Sequence, residues 1–105
     1  MTKFPIVIFA YNRPNHLYNL IKSLEKNKNI NDYEIFLFCD GFKNQEDLKE
    51  INKIRIIANQ SSLNFSNLNF REENIGLANN VINGITEVLK KNKACMVFED
   101  DLVVT

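Results

Sequence analysis

Four short apolar runs punctuate the chain. Phe4–Ala10 (FPIVIFA) and Ile35–Cys39 (IFLFC) are continuous and rich in branched or aromatic residues, the pattern of strands covered on both faces, and Ala94–Phe98 (ACMVF) is a last apolar strand. Asn67–Arg71 (NLNFR) alternates and is shorter, which marks a strand near a sheet edge. Between the runs the period changes to that of a helix. Leu17, Leu20, Ile21 and Leu24 form one stripe after Pro14, whose fixed φ suits a first helical position, with Lys22, Glu25 and Lys26 outside it.

A second helix is predicted from Asn44, with Glu46 and Asp47 complementing its first turn, through Leu48, Ile51 and Ile54 to about Gln60. The third starts at Leu77, after an Asn74-Ile75-Gly76 turn. Ala78, Val81, Ile82, Ile85, Val88 and Leu89 give it the strongest helical period in the chain, despite Gly84 within it. The order β-α-β-α-β-α-β predicts a single α/β domain over residues 1–105, three layers α/β/α around a mostly parallel sheet of order 3-2-1-4 with right-handed crossovers. Parallel strands all end on one edge. Tyr11 to Arg13, Asp40, Arg71 to Gly76 and Glu99 to Asp101 should therefore gather where open α/β sheets bind ligands.

Composition narrows the partners. Of 105 residues, 45% are hydrophobic and 25% charged, and thirteen basic residues offset thirteen acidic ones, so no net field draws the protein to nucleic acid. The start, Met1-Thr2-Lys3-Phe4-Pro5, has no apolar leader and no stretch approaches spanning length, which sets the expectation of a cytoplasmic protein without a membrane segment. Cys39 and Cys95 lie in apolar runs and are expected as reduced core residues. With the second and fourth strands two spacings apart, about 9.6 Å, no disulfide can join them. His16, the sole histidine, is expected at the surface.

The chemistry of the edge admits two readings throughout. Glu99-Asp100-Asp101 is either a solvated strand terminus or a ligand set for a hard divalent cation shared with substrate phosphates. Asp40 either opens a turn or serves a site. Arg13 is either a surface residue beside a helix start or a planar fork for a base carbonyl or phosphate. Asn74 and Gly76 either make a turn or set the third helix's first amides against an anion. Neither a dinucleotide fingerprint nor a Walker loop is present, since Phe9-Ala10-Tyr11-Asn12-Arg13-Pro14 contains no glycine.

Four segments in this order, PIVIFAYNRP, FLFCDGF, REENIGLANNVINGI and VFEDDLVVT, resemble the donor-binding half of a GT-A-fold glycosyltransferase. They look like family 2 enzymes and, in the Glu-Asp-Asp-Leu form, like N-acetylglucosaminyltransferase I. The resemblance implies a Rossmann-like half that binds a nucleoside diphosphate sugar, uridine-based, with Mn²⁺ or Mg²⁺, for transfer to a saccharide or other hydroxyl acceptor. By position it implies Tyr11, Asn12 and Arg13 beside the uridine and Asp40 accepting from uracil or ribose. It further implies Arg71, Asn74 and Gly76 flanking the donor, Asp101 on the metal, and Asp100 on the ribose or a metal-bound water. Glu99 belongs to the same acidic motif without an assigned contact.

In that family the acceptor half and the general base follow the acidic motif. The expectation is accordingly a donor-binding portion, inactive in transfer alone, with its fourth strand and the apolar Leu102-Val103-Val104 tail left as an edge for self-association. Two other readings stand beside it: a non-catalytic interaction module of the same fold, acting through that edge, and a different metal-dependent phosphotransfer domain.

Overall fold

The computed structural model describes residues 3–99. Asp100 to Thr105, and with them the expectations for Asp100, Asp101 and the apolar tail, lie outside the described residues. The elements run β1 (Phe4–Ala10), α1 (Pro14–Glu25), a short 3₁₀ turn (Ile30–Asp32), β2 (Tyr33–Cys39), α2 (Gln45–Gln60), β3 (Phe65–Phe70), α3 (Leu77–Leu89) and β4 (Met96–Glu99). All pairings are parallel in the order β3-β2-β1-β4, so this is a Rossmann-like three-layer α/β fold.

The two faces of the sheet are unequal. On one, Ile6, Ile8, Ile35 and Leu37 meet the α1 stripe of Leu17, Leu20, Ile21 and Leu24 together with Ile51, Ile54 and Ala58 of α2. Full burial of each such aliphatic side chain contributes about 1.5–3 kcal/mol, which makes this the stabilising face. On the other, α3 covers β1 and β2, with Val88 over Val7, Phe9 and Phe38. Gly84 explains the break in α3's apolar pattern. A Cβ there would sit 2.7 Å from Phe9 Cε1 and 3.1 Å from Phe38 Cδ2, so glycine is what lets the helix lie on the stacked Phe9–Phe38 pair.

Three expectations are corrected. The period of α3 overstates its contact: Val88 is buried and Val81 and Ile85 half-buried, but Ala78, Ile82 and Leu89 are exposed, because a single helix lies on this face and touches it along a narrow line. The fourth strand runs from Met96 to Glu99 rather than from Ala94 to Phe98, on the open edge that the 3-2-1-4 order gives it. Its Met96 and Val97 are exposed, since α3 sits over β1 and β2 and leaves this edge strand open. Lastly, β3 begins at Phe65 rather than Asn67. Its register shifts between Ile35↔Phe65 and Phe36↔Asn67, and this bulge brings Phe65 onto the same core as Leu68 and Phe70, three and five residues on.

The cysteines are free, Cys39 buried and Cys95 half-buried, and His16 is exposed. Among the described residues no helix is long and apolar enough to cross a membrane.

Glu25, at the end of α1, ties the two helices of the main core together. It accepts from Ser62 N (2.9 Å), Ser62 Oγ (2.8 Å) and Ser61 Oγ (3.0 Å) just beyond α2, and pairs with Lys22 Nζ at 3.1 Å. Burial pushes this carboxyl up, but the bonds from Ser62, Lys22 and Ser61 outweigh it and take it from 4.5 down to about 2. A depressed carboxyl stabilises above its unfolded pKa, and that contribution is lost as pH falls from 4.5 toward 2. Glu25→Gln should cost about 1–2 kcal/mol at neutral pH, after allowance for solvent screening. In urea denaturation series the gap between variant and wild type should close across that acid window.

Candidate functional site

Each strand of the parallel sheet delivers one segment to the carboxyl edge. After β1 come Tyr11, Asn12 and Arg13, halted by Pro14 at the first position of α1; after β2 comes Asp40; after β3 comes Arg71; and β4 ends on Glu99. Between them lies a cavity of about 340 Å³. Of the residues singled out in the sequence, Tyr11, Asn12, Arg13, Asp40, Asn74, Gly76 and Glu99 line it, joined by Lys43 and Asn80. Arg71 stands behind this wall.

Asp40 is 4% exposed and its carboxylate is fully engaged by the chain. Oδ1 accepts from Gly41 N (2.8 Å) and Ile75 N (2.9 Å), while Oδ2 accepts from Gly76 N (3.0 Å) and Asn74 Nδ2 (3.2 Å). A carboxylate offers about four lone-pair positions, and here four donors fill them. Asp40 thus fastens the 74–76 turn to the end of β2. Asn74 Nδ2 also bonds Gly41 O at 2.8 Å, and Gly41 lies so close to the backbone of Glu73 and Asn74 that only a residue without a Cβ fits. The turn then passes through Gly76, whose φ of 87° favours glycine, and opens α3 without a side-chain cap.

Asp47 is a residue whose place in the site sequence reasoning missed. It sits in the first turn of α2, where an acid is explained by the helix dipole alone, yet it is 8% exposed and spans to the β1–α1 loop. Oδ2 accepts from Tyr11 Oη and from Lys43 N (3.2 Å), and Oδ1 from Asn12 Nδ2 at 2.9 Å. The bonds from Tyr11 and Asn12 hold the Asp47 carboxyl below the usual range. Burial, followed by donation to Asp47 and by its negative charge, pushes the Tyr11 phenol up to about 12. Asn44 caps the same turn by accepting from Asp47 N at 2.9 Å.

Arg71 braces α3 against the sheet. Its Nε donates to Asn80 Oδ1 at 2.6 Å, Asn80 Nδ2 donates to Phe38 O at 3.3 Å, and the guanidinium lies 5.6 Å from the Phe38 ring centroid. Nη2 is buried without a hydrogen-bond partner among the described residues, a cost that the ring's negative face offsets in part. Asn80, 1% exposed, was hidden in the sequence by its place inside a helical apolar pattern.

The described residues contain no group of three or more His, Cys, Asp or Glu able to hold a metal ion. With Asp40 engaged internally, Glu99 is the carboxylate they offer to the cavity. One hard oxygen donor suits a cation held jointly with phosphates and does not suit an all-protein cage. No protein-family model, curated protein or solved structure matches the chain.

Proposed function

We propose that the cavity binds a nucleoside diphosphate sugar, uridine-based, together with Mn²⁺ or Mg²⁺, as the donor side of a glycosyltransferase. The observation that carries this reading is the convergence of Tyr11, Asn12 and Arg13, the 74–76 turn and Glu99 on one cavity at the carboxyl edge of a parallel sheet.

In this arrangement the 11–13 loop borders the nucleoside. Arg13 and Lys43 line the wall and offset diphosphate charge. The amides opening α3, which carry no side-chain cap, favour the same anion. Glu99, which lines the same cavity, supplies a hard oxygen donor, and the acidic run continues in the sequence as Asp100-Asp101. A bound divalent cation would neutralise the charge that builds on the departing nucleoside diphosphate. Asp40 enters as the fastener of the turn rather than as a direct contact.

Thermal unfolding tests the reading. UDP with Mn²⁺ should stabilise the protein by about 2.7 kcal/mol at a hundredfold excess over Kd, a shift of several degrees in Tm. UDP alone should give a much smaller shift. No shift with millimolar UDP and Mn²⁺ would overturn the proposal. It would favour the second reading, a non-catalytic module that acts through the β4 edge, which the exposure of Met96 and Val97 supports.

A further inference from the structure

The two edges of the sheet differ in how they meet another chain. At β3 a bulge after Phe65 breaks the ladder to β2, Ser66 and Asn67 are exposed, and the Arg55 guanidinium stands 4.5 Å from the Phe70 ring centroid. A bulge, polar side chains and a charge at the rim are devices that keep an edge strand from pairing with a second chain. At β4, among the described residues, the register with β1 is unbroken, Met96, Val97 and Phe98 place no polar side chain before Glu99, and Met96 and Val97 are exposed. Beyond β4 no described strand takes up the backbone groups of its outer side.

We propose that β4 is a self-association edge, at which two copies of the chain pair antiparallel about a two-fold axis at Met96 and join their sheets. An axis normal to the sheet reverses the strand direction and keeps α3 on the same side in both copies, so residues opposite each other share a face. Val97 and Glu99, which pair with Val7 and Phe9, lie on the α3 face with Cys95, while Met96 and Phe98, which pair with Ile6 and Ile8, lie on the α1 face. The pairing draws Lys93, Ala94 and Cys95, which precede β4, into the strand. Centred on Met96, it sets Cys95 against the partner's Val97, Ala94 against the partner's Phe98, and Lys93 against the partner's Glu99. Centred on Val97 or Phe98, it would set Glu99 against Cys95 or Val97, and centred on Cys95 it would set Lys93 against Val97. The Met96 register therefore keeps apolar residues together and brings opposite charges face to face at both ends.

Lys93 and Glu99 are both exposed, so their pairing fixes the register more than it adds affinity. Affinity comes from the backbone ladder and from covering Met96 and Val97. An interface of one strand per copy lies below about 1,200 Å², the range of transient contacts, and the dimer should form only at high protein concentration. The inference is independent of the nucleotide reading, because it concerns an edge and a partner that the cavity does not require.

Sedimentation equilibrium from micromolar to millimolar protein, without nucleotide, tests the proposal, with circular dichroism to show that each variant is folded. Wild type should pass from monomer to dimer across that range. Val97→Lys places a charge on the edge and should raise the dissociation constant about tenfold or more. Ile82→Lys, exposed on α3 and away from the edge, should leave it within about twofold. Lys93→Glu and Glu99→Lys each set like charges face to face and should weaken the dimer about threefold or more, whereas the two together restore opposite charges and should return it to within about twofold of wild type. This double reversal keeps the test decisive even where Val97→Lys does not fold. A chain that stays monomeric at millimolar concentration, a dimer unchanged by Val97→Lys or lost in Ile82→Lys, or a double reversal that fails to restore association would overturn the inference.

Discussion

Asp40→Asn should lower the free energy of unfolding by about 2–4 kcal/mol, read from the midpoint of urea denaturation at constant slope. The substitution keeps shape and volume, so packing does not confound it. What changes is the hydrogen-bonding sense of one of two atoms. Oδ1 holds the amides of Gly41 and Ile75, and Oδ2 holds the amide of Gly76 and the side chain of Asn74. Whichever way the new amide turns, an NH₂ replaces an oxygen that two donors require. Backbone donors lose a charged acceptor on either choice, at a side chain only 4% exposed. A loss below about 0.5 kcal/mol would mean that the turn is held by something other than this carboxylate.

Gly41→Ala should cost about 3 kcal/mol or more by the same measurement. An added Cβ would stand 2.6 Å from Glu73 O and 2.8 Å from Asn74 N. Both are backbone atoms of the turn and cannot rotate aside as a side chain would. The relief open to the protein is to push the 73–76 segment outward, which breaks the bonds to Asp40. The two substitutions therefore act on one joint. Combined, they should cost less than the sum of the single losses, whereas distant sites add to within about 0.3–0.5 kcal/mol. Wild-type stability in Gly41→Ala would show that the turn stands away from β2.

What the sequence made legible follows from which interactions leave a residue-type signature. β1 and the α1 stripe were read to the residue because burial on both faces, or on one helical face, demands apolar side chains at set intervals. The gathering of Tyr11, Asn12, Arg13, Asp40, Asn74, Gly76 and Glu99 was legible too, because a parallel sheet dictates where strand ends go. The start of β3 was not, since a bulge places Phe65 out of phase with Leu68 and Phe70. Nor was the open side of α3, because an apolar residue such as Ile82 carries no mark of whether anything covers it.

The role of Asp40 was hidden for a different reason. Three of its four donors are backbone amides, which are the same in every residue, so nothing at positions 41, 75 and 76 announces them. Asp47 was masked by a sufficient local explanation. An acid in the first turn of a helix needs no partner, and its bonds to Tyr11 and Asn12 span thirty-five residues or more.

The central claim is that the carboxyl edge of this sheet is a nucleotide-binding site, and its most direct test is a two-dimensional amide NMR titration with UDP and Mg²⁺. The account predicts saturable shifts concentrated at Tyr11 to Arg13, Lys43 and Asn74 to Leu77, with the amides around Glu25, Ser61 and Ser62 at the remote end of the helices unmoved. Shifts confined to that remote region, or no saturable shift anywhere at millimolar UDP, would contradict it.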